Sequence, residues 1–357
     1  MCLVPGSLHL LFNFEVTGTK SHYMNNLSKL LQGQMVMKIS THKLYDCKPS
    51  AYMVYSDLWK TNSERLDMVE YGISSQNHRK LVSNDDTGTT TGDAQKVSDA
   101  LAYSVYSKRQ RIRLDYIVKD YGLYAPFTMT GNPKFTLKLP PADQVLVAQT
   151  GEALGTYTLG DMELEYEVII NKSLSDEITD IYKQGRSLYY EYLTLIEDPD
   201  WPADSTQVNI SVTAPTKSMR AIVLLFQTKD RIDSEEFVYP NIDSVGITIG
   251  GVNNMIYSEG LPKNRFYDEC KRLFKLSDED QYMSFERFYK DKFALVIDLR
   301  PHAGRMGTGH GKKVDGDNTI KLTIKKRAYT SAVKCLTYIV SDGQVNFGDN
   351  TCQGESH

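Results

Sequence analysis

The chain lacks the sequence features of a membrane protein, a secreted protein or a disulfide-stabilised protein. No apolar run approaches the roughly 20 residues that a membrane-spanning helix needs. The first residues, MCLVPGSLHLLFNFE, have neither the basic start nor the long apolar core of a signal peptide. The 5 cysteines are scattered, without a CxxC pair, which favours free thiols in a reducing compartment.

Motifs of catalysis and of cofactor binding are also missing. The 7 histidines include no HxH, HxxxH or HExxH pair, and GxSxG does not occur. The run AGRMGTGHGKK (303–313) lacks a required glycine and the final Ser/Thr of a phosphate loop, so it predicts a surface loop. We therefore expect no enzyme activity, and we nominate no catalytic residue and no ligand for a cofactor or a metal.

The bulk composition is that of a folded protein with no dominant charge. The chain has 357 residues, of which 41% are hydrophobic and 24% charged, enough for two domains that each have a core. Its net charge of -4 argues against nucleic-acid binding by the protein as a whole.

Alternation of apolar and polar residues is the dominant local pattern, and it predicts β-strands with one buried face. Such strands are typical of antiparallel sheets, because buried parallel strands are continuously apolar. The segment FALVIDL (293–299) is nearly all apolar, and we interpret it as a central strand covered on both sides. The alternating apolar positions include Leu8, Leu10, Phe12, Phe14, Val16, Met162, Leu164, Tyr166, Val168, Val208, Ile210, Val212, Ile320, Leu322 and Ile324.

The strand-like segments of the first half recur in the same order in the second half, which indicates two tandem modules. A helical segment lies between the second and third matched strands of each half (51–71, with a possible Thr61/Glu64 capping box, and 262–274). The matched pairs are SLHLLFNF with RAIVLLFQ, QMVMKI with SVGITI, RIRLDYI with FALVIDL, FTLKL with IKLTI, and LEYEVII with LTYIVSD.

The two modules differ at their starts and in one insertion. We place the first module at 1–175, with an insertion at 73–107, and the second at 176–357. The second has two further strand candidates (187–196 and 207–213) ahead of its first matched segment. The first has no counterpart to them, so we expect either a chain shortened at its N-terminus or another chain that fills the gap.

Three carboxylates are the best candidate for an enzymatic site. Glu163, Glu165 and Glu167 alternate along a predicted strand and would share one face, as the nucleophile and acid/base do in some jelly-roll glycoside hydrolases. A solvated strand face has the same pattern. The 2 tryptophans, Trp59 and Trp201, are distant in sequence from the carboxylates, although a sugar site needs aromatic platforms.

Basic residues concentrate in SKRQRIR (107–113), with a second cluster in KKRAY (325–329). Lys108, Arg109, Arg111 and Arg113 could contact the phosphates of a packaged nucleic acid. Charged strand edges that discourage sheet-to-sheet aggregation have the same composition, so both interpretations stay open.

Many segments of the chain, in order, resemble the major capsid proteins of Polinton/Maverick elements and adintovirus-type viruses. The resemblance extends from Val4 to the end, although that family has further sequence ahead of its PGSLHL-type segment. The segments that carry it are PGSLHLLFNFE, DLWKTNSERLDMVEYGI, KRQRIRLDYI, DYGLYAPF, MELEYE, GRSLYYEY, SMRAIVLLF, SEEFVYPNI and FYKDKFALVIDLR.

This resemblance implies an all-β fold of two antiparallel jelly rolls, with short helices in the connections. It implies a structural protein that assembles as a pseudo-hexagonal homotrimer into an icosahedral shell. The expected location is the virion capsid, assembled in the nucleus or cytoplasm of a host cell. The expected partners are neighbouring capsomers, a minor (penton) capsid protein and, weakly, packaged DNA. A jelly-roll glycoside hydrolase and a host-domesticated binding protein without a shell are the alternatives.

Overall fold

The computed structural model describes most of the chain, and the insertion at 73–107 lies outside the described residues, as does Lys108. The described residues are 2–4, 7–17, 21–39, 42–67, 109–114, 134–148, 153–197, 200–212, 218–229, 231, 233–253, 260–274, 282–300, 312–313, 319–348 and 351–356.

Strands dominate the described residues, and every pairing between them is antiparallel. The strands are β1 Cys2–Leu3, β2 His9–Thr17, β3 Ser21–Tyr23, β4 Gln34–Ile39, β5 His42–Cys47, β6 Arg109–Arg113, β7 Lys134–Lys138, β8 Leu146–Ala148, β9 Thr156–Glu165, β10 Val168–Ile169, β11 Arg186–Glu197, β12 Gln207–Val212, β13 Ser218–Gln227, β14 Ile242–Ile249, β15 Val252–Asn253, β16 Leu261–Pro262, β17 Ala294–Asp298, β18 Lys312–Lys313, β19 Ile320–Lys326, β20 Lys334–Gly348 and β21 Thr351–Ser356.

The helices are short and lie in the connections between strands. They are α1 Leu27–Leu30, α2 Ser50–Asp57, α3 Asn62–Asp67, α4 Lys172–Lys183, α5 Phe266–Phe274 and α6 Phe285–Asp291, with 3-10 turns at Ala142–Gln144 and Lys263–Arg265.

Local sequence explains where two of these helices begin. The capping box predicted for α3 is confirmed: Thr61 N donates to Glu64 Oε2 at 2.8 Å, and Glu64 N donates to Thr61 Oγ1 at 3.2 Å. Helix α6 begins after Ser284, whose Oγ accepts from Arg287 N at 3.2 Å.

The two halves of the chain have the same strand connectivity, which confirms the predicted duplication. In the first half the sheet order is β6-β2-β9, and the matched strands of the second half have the order β17-β13-β20. The pair β4-β7 likewise corresponds to β14-β19. The helical segments α2/α3 and α5/α6 occupy the same interval in each half. The placement of the module boundary between 175 and 176 stays a prediction.

The second half has two strands that the described part of the first half does not match. Strand β11 pairs with β20, and β12 pairs with β19, where the sequence predicted two further strands. In the first half, β9 and β7 each have one strand neighbour among the described residues.

The cores follow the predicted alternation. Ile320, Leu322 and Ile324 of β19 are fully buried, whereas Lys321 and Lys325 are exposed. Strand β17 is buried along its whole length, as predicted for a strand covered on both faces. It nevertheless ends the β11-β20-β13-β17 sheet path rather than occupying a central position in it.

Candidate functional site

The interface between the two halves contains an aromatic cluster built around helix α2. Tyr55 meets the edge of Phe237 at a centroid distance of 5.2 Å and that of Phe274 at 5.3 Å. Trp59, just beyond α2, stacks on Phe274 at 6.3 Å and meets Phe288 at 6.4 Å. Because all five side chains are buried and most of these partners belong to the second half, the two halves share one hydrophobic core.

A buried polar cluster lies beside these rings. Arg65 of α3 donates from Nη2 to both carboxylate oxygens of Glu235, at 3.0 and 3.1 Å. Asn26 Nδ2 donates to Glu235 Oε1 at 3.0 Å and to Ser234 Oγ at 2.9 Å. Asn25 Oδ1 accepts from Ser234 N at 2.9 Å. We call Asn25, Asn26, Arg65, Ser234 and Glu235 the polar clamp; its directional bonds fix how the halves are oriented.

A second charged group supports the clamp from within the first half. Asp57 is buried at the end of α2 and forms ion pairs with Lys29 of α1 and with Lys60, the latter at 3.1 Å. Arg65 also donates from Nη1 to the Asp57 carbonyl at 3.1 Å. Helices α1, α2 and α3 are therefore tied together where they meet the second half.

The predicted basic cluster is only partly within the described residues. Strand β6 contains Arg109, Arg111 and Arg113. Arg111 Nη2 lies 3.1 Å from His9 Nδ1 and 3.6 Å from Glu165 Oε1, so this arginine interacts across its own sheet. Of the second basic cluster (325–329), Lys325 and Lys326 belong to β19, which lies in another sheet. Contact of β6 with nucleic acid stays a prediction.

The three predicted carboxylates lie along one exposed strand face. Glu163 and Glu165 belong to β9 and stand opposite Leu11 and His9 of β2, and Glu167 follows the strand. All three glutamates are exposed. Trp59 and Trp201 are only 2% and 3% exposed, so neither offers a stacking surface to a sugar. The arrangement favours a solvated face over a glycosidase site.

Asp298 lies shortly before the segment 303–313 that was predicted to be a surface loop, most of which lies outside the described residues. Its carboxylate accepts from Arg300 Nη2 at 2.7 Å and from Arg272 Nε at 3.0 Å. Burial by itself raises the pKa of Asp298, but the hydrogen bonds from Arg300 and Arg272 outweigh it and hold that pKa below its usual range. The site is a structural ion cluster.

A cleft between the two halves has mixed charge. Its volume is about 680 Å³. Lys48 and Glu197 line it and form an ion pair at 2.6 Å; Lys138, Asp200 and Lys334 also line it.

In the described part of the chain, no group of three or more His, Cys, Asp or Glu side chains could hold a metal ion. Among the helices of those same residues, none combines the length and hydropathy of a membrane span.

Comparison with solved structures identifies the fold. The PBCV-1 virus capsid model matches with a TM-score of 0.64 at 10% identity, covering 99% of this chain and 90% of that chain. The Sputnik virophage structure matches with a TM-score of 0.58 at 8% identity, covering 99% and 83%. The Faustovirus major capsid protein matches with a TM-score of 0.60 at 8% identity, covering 97% and 85%.

The fold is a double jelly roll. This confirms the predicted fold class, and it agrees with the equivalent strand neighbours in the two halves. No protein-family model matches the chain, and no curated protein matches it. The likeness therefore rests on three-dimensional structure at low identity.

Sequence reasoning missed the residues that join the two jelly rolls. Asn26 and Glu235 are 209 positions apart, and neither belongs to a recognisable motif. The adjacent polar residues Asn25 and Asn26, in a segment rich in leucine, were the one available signal, since buried polar groups need partners.

Proposed function

We propose that this protein is a major capsid protein of a Polinton/Maverick element or an adintovirus-type virus. In this proposal it assembles as a homotrimer, and the trimers form an icosahedral shell. The carrying observation is that two jelly rolls whose matched strands have the same connectivity are joined by a shared core and by the polar clamp. A rigid two-walled subunit suits this role, because three copies around a threefold axis present six similar walls.

The shell is the protein's location, and assembly takes place in the nucleus or the cytoplasm of the host cell. A minor capsid protein occupies the fivefold vertices, and the basic strand β6 contacts packaged DNA weakly through its arginines. The similarity to viral capsid structures supports a structural role without catalysis.

The test is to express the full chain and measure its mass and shape. We expect light scattering after size exclusion to give three times the chain mass of 40.5 kDa, and electron microscopy to show hexagonal capsomers or shells. Obligate interfaces of this kind bury roughly 2,000–5,000 Å², so the trimer should persist on dilution. A stable monomer at micromolar concentration would contradict the proposal. Discrete trimers that never form shells would favour a host-domesticated protein.

A further inference from the structure

A lysine and an aspartate are buried together where α1 meets α2. Lys29 of α1 is 4% exposed, and Asp57, the last residue of α2, is 1% exposed. Lys29 Nζ is in direct contact with Oδ2 of Asp57. The residues that follow them, Leu30 and Leu58, are buried as well. The amine and the carboxylate are therefore held against each other with little access to water.

The carboxylate of Asp57 lacks the hydrogen bonds that usually accompany a buried anion. Both of its oxygens are buried, and neither accepts a hydrogen bond of good geometry from the part of the chain that the structure describes. Arg65 donates to the main-chain carbonyl of Asp57 and to Glu235, and not to these oxygens. A buried ion pair offsets the loss of hydration only when further hydrogen bonds complete it. Condensation of the two groups to an amide would remove both charges.

A second lysine lies on the other oxygen of the same carboxylate. Lys60 Nζ is 3.1 Å from Oδ1 of Asp57. Burial lowers the pKa of Lys60, against the opposing effect of Glu64. When an amine attacks the carboxyl carbon, negative charge develops on the oxygen that stays bound. Lys60 occupies the position from which a cation stabilises that charge.

The surroundings of Lys29 are those that make a lysine amine nucleophilic. Such an amine is activated when it is desolvated or when it lies beside other cations. Lys29 is buried, and both Lys60 and Arg65 are bound to Asp57, at its Oδ1 and at its main-chain carbonyl. The fold also holds the two reacting groups in contact, which replaces a collision between free molecules.

Burial distinguishes this pair from other close pairs of lysine and carboxylate. The side chains of Lys29 and Asp57 are 6% and 2% exposed. Those of Lys48 and Glu197, 2.6 Å apart, are 51% and 45% exposed. Water solvates the ions of the exposed pair and so keeps them charged, whereas the buried pair has no such compensation. The exposed pair is therefore a matched control for the buried one.

We propose that Lys29 and Asp57 are joined by an intramolecular isopeptide bond. Lys29 Nζ attacks the carboxyl carbon of Asp57, while Lys60 stabilises the negative charge on Oδ1. The bond between that carbon and Oδ2 then breaks, and Oδ2 leaves as water with two protons from the Lys29 ammonium. The product is a neutral amide that links α1 to α2, and no oxidant or other reactant is consumed. The bond forms within one chain, so its test is independent of trimer and shell assembly.

The intact mass of the full chain, purified and then denatured, tests this proposal. We expect a mass about 18 Da below that of the sequence, because formation of the amide releases one water. Lys29→Arg should have its full mass, since a guanidinium stays protonated and does not attack. Lys48→Arg, at the exposed pair, should keep the deficit. A parent chain of full mass, or a deficit that persists in Lys29→Arg, overturns the proposal.

Tryptic digestion of the denatured parent locates the bond. Trypsin does not cleave after an acylated lysine, so the peptide that contains Lys29 should remain uncut there and be joined to the peptide that contains Asp57. Cyclisation of Asp342 onto the nitrogen of Gly343 would release the same mass of water. A deficit that maps there, with normal cleavage after Lys29, overturns the proposal.

A third variant tests the role of Lys60. Lys60→Met should form the bond at least about tenfold more slowly than the parent, as followed by the mass deficit at intervals after lysis. Tryptophan fluorescence checks that this variant folds, because Trp59 is buried next to the substituted residue. An unchanged rate in folded Lys60→Met overturns the role assigned to Lys60.

Discussion

Replacement of Glu235 by glutamine breaks the polar clamp at its centre. The carboxylate binds Arg65 through both oxygens, and the side chains of Arg65 and Glu235 are only 8% and 6% exposed. Glutamine keeps the shape but leaves the arginine charge buried without its anion. Two charges about 3 Å apart attract by about 5 kcal/mol at an effective dielectric constant of about 20.

The expected net loss of unfolding free energy in Glu235→Gln is smaller than that attraction. Arg65 keeps its bond to the Asp57 carbonyl at 3.1 Å and its position 4.1 Å from the ring centroid of Tyr282. Loss of one partner of a buried ion pair costs about 3–5 kcal/mol, so we expect about 3 kcal/mol for Glu235→Gln. Urea unfolding followed by tryptophan fluorescence measures it, because Trp59 lies at the interface and is 2% exposed.

A double variant separates the lost pair from general damage. Arg65→Met with Glu235→Leu removes both charges, so it should unfold at a higher urea concentration than Glu235→Gln alone. The reasoning is refuted if Glu235→Gln costs under about 1 kcal/mol, or if the double variant loses the sum of the losses measured for Arg65→Met alone and Glu235→Leu alone.

Three further predictions concern single sites. Gly343 stands opposite Tyr190, and an added Cβ would lie within 2.9 Å of three of its ring atoms, so Gly343→Ala should cost about 1–3 kcal/mol in urea unfolding, partly restored by Tyr190→Leu. Burial raises the pKa of Cys47 to about 12, so alkylation followed by mass spectrometry at about pH 8 should be slow in the native protein and complete in urea. Because the pKa of Asp298 is lowered in the folded protein, the ionised carboxylate stabilises the fold at pH values above the usual pKa of 3.8. This stabilisation is lost as the pH falls below 3.8 and the carboxylate becomes protonated. The difference in unfolding free energy between the parent and Asp298→Asn should therefore shrink between about pH 5 and about pH 3, and a constant difference contradicts the assignment.

The sequence predicted the parts of the fold that depend on local pattern. Alternation located β2, β12 and β19, and the order of matched segments predicted the shared strand connectivity. Periodicity also located α5, where Phe266 and Cys270 are fully buried one turn apart. These features need no knowledge of distant contacts, because each is set by which face of one element meets a core.

Helix α4 was missed although its signals were present. Asn171 caps it by accepting from Leu174 N at 3.2 Å, and Leu174, Ile178 and Tyr182 recur at a spacing of four. The predicted module boundary between 175 and 176 falls within this helix. A capping residue followed by that spacing was sufficient to predict the helix.

The polar clamp was beyond the reach of sequence patterns for a physical reason. Asn26 and Glu235 meet only because α1, α3 and the segment before β14 are packed together by the aromatic rings around α2. The leucine-rich neighbours of Asn26 hint at burial, but nothing in the neighbours of either residue indicates which distant residue it meets. Contacts of this kind follow from the completed tertiary structure.

The sharing of rings between the halves has a mechanical consequence. Helix α2 is encoded in the first half, yet Tyr55 and Trp59 lie against Phe274 of the second half. Cutting the chain near residue 175 would expose Tyr55 and Trp59 to solvent in the first fragment and would leave a cavity beside Phe274 in the second. A force applied to either jelly roll is therefore transmitted to the other through these rings, and we expect the two jelly rolls to unfold together rather than to separate first.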